Sequence, residues 1–125
     1  MAQAAVKTFE QESGIAESAV LDRAHLARIT FNDRNLEREV LQLFNRQAEL
    51  LMGRIRGSEP TAVATLAHTL KGSATGIGAG RVARAAATAE MVAGSTPGDC
   101  KHAIEQLAQA VVEARTQIVA LLDLE

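Results

Sequence analysis

Apolar residues recur along this chain at steps of three and four, the spacing that gathers side chains on one side of an α-helix, and no strand-like alternation competes with it. Leu36, Val40, Leu43, Phe44, Gln47, Leu51 and Ile55 form one such run. All but Gln47 are apolar, so the spacing predicts a helix with a single buried stripe, capped by Asn32 or Asp33 and leaving Arg34, Glu37, Arg38, Gln42 and Arg46 on other faces. Gly57 and Ser58 break the pattern, and Ser58 with Pro60 signals a new start. The next helix is expected from about Glu59 to Ile77, ending at Gly78 or Gly80; an alanine-rich one follows from about Arg81 to Ala93 and stops at Gly94. Thr96, Pro97, Gly98 and Asp99 combine a cap, a first-turn proline and a carboxylate three residues on. They open a long last helix with Ile104, Leu107, Val111, Ala114, Ile118 and Leu121 on one face.

Ahead of these, Asp22 is placed to cap a short helix running to Ile29, with Leu21 and Leu26 spaced as a hydrophobic staple. Residues 1–19 mix polar and small types around Gly14 and read as a tail or a frayed helix, with no function assigned. The economical architecture is all-α, an antiparallel four-helix bundle with a short additional N-terminal helix, in one domain over residues 20–125.

Composition agrees with helices. Hydrophobic residues are 47% of the 125, supplied mostly by Ala, Leu, Val and Ile, with three Phe and no Trp or Tyr, whereas strands favour aromatic and β-branched side chains. A formal net charge of −2 offers no basic footprint for nucleic acid. Cys100 is the only cysteine, so an internal disulfide is excluded; it reads as a small, half-buried helix residue in a reducing compartment. No run of about 20 apolar residues is present to span a bilayer, and Met1 to Glu12 lacks the order of a signal peptide, so a soluble, cytoplasmic chain is expected.

One helix carries candidate chemistry. Val63, Leu66, Ala67, Leu70, Ala74 and Ile77 fall within roughly a third of its circumference, and His68 lies roughly 140° from Val63, turned towards solvent. Around His68 stand Thr61, Ala64, Thr65, Gly72 and Thr75, all small, so the imidazole rises above a low floor. Gly72 gives up about 1 kcal/mol of helix propensity relative to Ala. Nothing in folding asks for it there, but a missing side chain gives a partner room to reach the ring. Lys71, three residues after His68, is within reach of the same spot and can neutralise a phosphoryl group. Arg81 and Arg84 are either further contributors to that positive field or ordinary solvated charges. An imidazole suits a transient carrier when one nitrogen is nucleophile and the other donates a hydrogen bond that fixes the tautomer. Glu90, on the following helix, is either the acceptor of that bond or a surface charge.

His68, Thr69, Leu70, Lys71 and Gly72, followed by Ile77 and Gly78, resemble the His-x-Leu-Lys-Gly signature of histidine phosphotransfer domains and its following apolar-Gly pair. The likeness extends over roughly residues 20–122. It implies a four-helix bundle with His68 as phosphoacceptor, Lys71 as charge partner and Gly72 as access glycine. Glu90 stands where members often carry a glutamine or other polar residue bonded to the ring. The resemblance also implies a phosphocarrier rather than a free-standing enzyme, with no cofactor of its own. Its partners would be response-regulator receiver domains, which supply the aspartate and Mg²⁺, and a sensor or hybrid histidine kinase. The docking surface is expected at Ala64, Thr65, Thr75 and Ala79, on a monomer.

Two other readings compete. A sensor-kinase dimerisation and phosphoacceptor segment also displays a histidine on a helical hairpin, but the acidic residue that usually follows that histidine is Thr69 here. A helical adaptor would dock without carrying phosphate. His25 and His102 have no Lys-Gly continuation and are expected to be structural or solvated, and no His/Cys/Asp/Glu spacing suggests a metal site.

Overall fold

A computed structural model of the chain describes residues 18–124. It contains α1 (Arg23–Ile29), α2 (Arg34–Ile55), α3 (Pro60–Ile77), α4 (Gly80–Val92) and α5 (Pro97–Asp123), and no strand among the described residues. Three helix starts are held by side chains: Asp22 accepts from the His25 N–H at 3.0 Å, Asp33 from those of Asn35 and Leu36, and Thr96 from that of Asp99. α3 starts as expected beside Glu59, which caps it without a side-chain bond, while the Ser58 hydroxyl donates to the Arg54 carbonyl at the end of α2.

Contacts between helices close a ring: α2 packs on α3, α3 on α4, α4 on α5 and α5 on α2, with α1 against α3. Phe44, Leu26, Leu41, Ile55, Leu70, Leu107, Ile118, Val63 and Val82 are the large apolar side chains enclosed. The face of α4 turned inward is Gly80, Val82, Ala83, Ala86 and Ala89, and these small residues let α3 and α4 approach closely. On the α2–α5 side, Arg38 donates to the Leu122 carbonyl at 3.1 Å and Arg115 pairs with Glu49 at 3.3 Å.

The α2 stripe needs correction. Its buried residues are Leu41, Phe44, Ala48, Leu51, Met52 and Ile55, whereas Leu43 is 47% exposed and Gln47 is exposed and bonded to Ser73. Because α2 faces both α3 and α5, its core face is centred on the Phe44–Ala48–Ile55 row and draws in Leu41 and Met52 from the α5 side. Leu43 and Gln47 fall beyond the opposite edge.

The segment before α1 is fastened to the α3–α4 turn. Asp22 N–H donates to the Gly78 carbonyl at 2.8 Å, and the Ala19 carbonyl accepts from Arg81 N–H at 3.0 Å. Gly78 has φ +85°, and a Cβ there would stand 3.0 Å from the Asp22 carbonyl oxygen, so both the left-handed turn and the close approach require glycine. Of the expected tail, residues 1–17 lie outside the described residues, while Ser18 and Ala19 are tied to α4 through Arg81. No described helix is long and apolar enough to cross a membrane.

Candidate functional site

α3 is amphipathic in the expected sense. Val63, Ala67, Leu70, Ala74 and Ile77 are buried and Leu66 is half-buried, which turns residue 68 outward. The His68 side chain is 65% exposed. Its Nδ1 lies 3.0 Å from Oε2 of Glu90, and the other carboxylate oxygen, Oε1, accepts from Lys71 Nζ at 3.1 Å. One carboxylate thus spans the α3–α4 seam and holds two side chains from one face of α3. Of the two readings open for Glu90, the acceptor of the ring bond is the one found.

The chemistry of that bond assigns the tautomer. An ionised carboxylate only accepts, so Nδ1 must carry the hydrogen, and a neutral ring then keeps its lone pair on Nε2. Ionisation of Glu90 is favoured locally. The Lys71 hydrogen bond, helped by the charges of Lys71 and His68, holds its carboxyl below the ordinary glutamate value against a smaller opposing effect of burial.

Gly72 is exposed in mid-helix, and a Cβ built on it meets nothing within 4 Å. Packing inside the molecule therefore gives no reason for glycine. Gly76, one turn further along, is also exposed and a Cβ built on it also meets nothing within 4 Å, so the low floor extends beyond Gly72. Its signal was present in the glycine spacing of four along the outer face. Thr65 and Thr75 are exposed and Ala64 is half-buried against the core.

Ala79 is a correction. Expected at the rim of the docking surface, it is fully buried, because the left-handed turn at Gly78 carries the chain inward and seats Ala79 as the cap of α4, its N–H bonded to the Ala74 carbonyl. Arg81 is also occupied elsewhere: it donates to the Ser18 carbonyl at 2.8 Å and pairs with Glu113 at 3.1 Å. Together with Arg84 and His102 it lines a groove of about 700 Å³ between α4 and α5, on the α5 side of α4. Lys71 is thus the cation found beside the ring. His25 has a structural place, its Nε2 bonded to the Gly76 carbonyl at 3.0 Å near the end of α3. No group of three or more potential metal ligands converges among the described residues.

The sequence model of the Hpt domain matches residues 34–123, covering α2 to α5 and the three clustered side chains, His68, Lys71 and Glu90. The chain belongs to the Hpt domain family. No curated protein and no solved structure matches it. Membership implies histidine phosphotransfer in two-component signalling, by a phosphocarrier rather than a conventional enzyme. The family's partners are receiver domains and kinases of phosphorelays.

Proposed function

We propose that this Hpt domain carries its phosphoryl group on Nε2 of His68 and exchanges it with the aspartate of a response-regulator receiver domain. The observation that carries the reading is the Nδ1–Glu90 bond on a 65% exposed ring, since it leaves Nε2 as the free nucleophile on an accessible side chain. In the forward step the Nε2 lone pair attacks phosphorus of the aspartyl phosphate, the P–O bond breaks, and its electron pair returns to the carboxylate. Such transfers depend on in-line approach and neutralisation of charge more than on covalent chemistry from the carrier. The receiver brings the aspartate and Mg²⁺.

Lys71 is the charge partner. Its ammonium has three donors, so it can keep Glu90 and still donate to a phosphoryl oxygen. Gly72, extended by Gly76, leaves room for the receiver's active site. The docking surface comprises Ala64, Thr65 and Thr75 around that floor. Leu43 and Leu50 on α2, 47% and 56% exposed, supply apolar area on the flank that the Gln47–Ser73 bond joins to α3. A small surface of this composition suits a transient complex. We read the helix ring as an antiparallel bundle and the carrier as a monomer.

The test is incubation with phosphorylated receiver domains. Label is expected on this chain in an acid-labile, alkali-stable form, absent from His68→Gln, with a solution mass of one chain. Label undiminished in His68→Gln defeats the assignment.

A further inference from the structure

The carboxylate beside the ring bears on how long a phosphoryl group stays there. Discharge of phosphohistidine breaks the P–Nε2 bond and returns its electron pair to the ring. With a proton on Nδ1 the departing group is a neutral imidazole; without it the departing group is an imidazolate, a far poorer one. Any group that keeps Nδ1 protonated therefore speeds discharge, whether the acceptor is a receiver aspartate or water.

Glu90 Oε2 sits 3.0 Å from that nitrogen, and Lys71 pins the other oxygen at 3.1 Å. A neutral amide at the same place would also accept the bond but would bring no charge to favour a cationic ring. Facing the ring are Lys71 from α3 itself and Glu90 from α4. α1 and α2, which also pack on α3, meet it through His25–Gly76 and Gln47–Ser73, and neither contact touches His68. Lys71 opposes ring protonation, but its ammonium lies across the carboxylate while Oε2 is in direct contact.

We propose that Glu90, positioned by Lys71, keeps the proton on Nδ1 of phosphorylated His68 and so makes this chain a quickly discharging carrier rather than a phosphate store. The inference rests on the reading of His68 as phosphoacceptor. Hydrolysis is the simplest expression of it: water oxygen bonds to phosphorus, the P–Nε2 bond breaks, and inorganic phosphate and neutral His68 result.

The experiment loads the full chain with phosphoramidate, whose ammonia is displaced by Nε2. Phosphohistidine decay is then followed by ³¹P NMR from about pH 5 to about pH 10 in the unaltered chain, Glu90→Gln and Glu90→Leu. Protonated phosphohistidine hydrolyses fastest, so each profile falls as pH rises. On the falling limb decay should be slower by about threefold in Glu90→Gln and about tenfold in Glu90→Leu, the modest size reflecting solvent screening at an exposed site. The three profiles should converge in acid, where the ring is protonated in all of them. Coincident profiles, or a uniform change at every pH as a general structural defect would give, overturn the inference while leaving His68 as acceptor. Failure of the unaltered chain to take label on His68 overturns the underlying reading, and this inference with it.

Discussion

Gly72→Ala separates the needs of the fold from those of the site. Gly72 lies well inside α3, is exposed, and has open space for 4 Å around a built Cβ, so an added methyl meets no internal obstacle. Glycine inside a helix is less favourable than alanine by about 0.5–1 kcal/mol, mainly through unfolded-state entropy, and the substitution should stabilise the domain by that amount. For a chain of 125 residues this is a rise in Tm of about 2–5 °C. The same methyl stands one turn from His68 on the face proposed for receiver docking. A displacement of about 1 Å in a reacting geometry can lower a rate by about 100-fold, so transfer from a phosphorylated receiver should fall by at least about tenfold. Urea denaturation monitored by far-UV circular dichroism reads the first effect and single-turnover transfer reads the second. A destabilised variant would refute the open-space argument; a stabilised variant with undiminished transfer would refute the access role.

Gly78→Ala should do the opposite, losing about 2–4 kcal/mol in the same denaturation assay, because a left-handed φ of +85° and a Cβ 3.0 Å from the Asp22 carbonyl oxygen act together. Phe31→Gly should stabilise by about 1 kcal/mol, since Phe31 holds φ +54° while its side chain is 85% exposed and contributes little packing. Glu90 gives a pH dependence: its carboxyl titrates lower folded than unfolded, so its contribution to stability is present at neutral pH and disappears as pH falls through the folded value. Stability measured against pH should therefore decline less steeply in acid for Glu90→Gln than for the unaltered chain, and equal slopes would count against the Lys71–Glu90 contact.

The features legible in the sequence are those set by local chemistry. Asp22, Asp33 and Thr96 cap their helices because a short side-chain oxygen at those positions meets the next free N–H groups whatever the tertiary surroundings. His68 faces outward because the apolar spacing of α3 leaves it no other direction. Burial at other positions is decided by neighbours that local chemistry does not show. Leu43 is as apolar as Leu41, and only the directions of α3 and α5 determine which is enclosed. Ala79 looked like a small rim residue, but the Gly78 turn swings it inside. Arg81, open between a role at the site and an ordinary surface charge, is bonded to Ser18 and Glu113 away from the ring. Glu90 was half legible: its distance along the chain allowed contact with His68, but its simultaneous hold on Lys71 depends on the close, alanine-lined approach of α4.

Assignment of the phosphoryl group to a single atom can be checked by incubating the chain with a phosphorylated receiver domain, trapping the product in alkali, and locating the phosphoryl group by ³¹P NMR and peptide mass spectrometry. One phosphoryl group is expected, on Nε2 of His68, and none on His68→Gln. Phosphoryl on Nδ1, on another residue, or retained by His68→Gln would contradict that assignment.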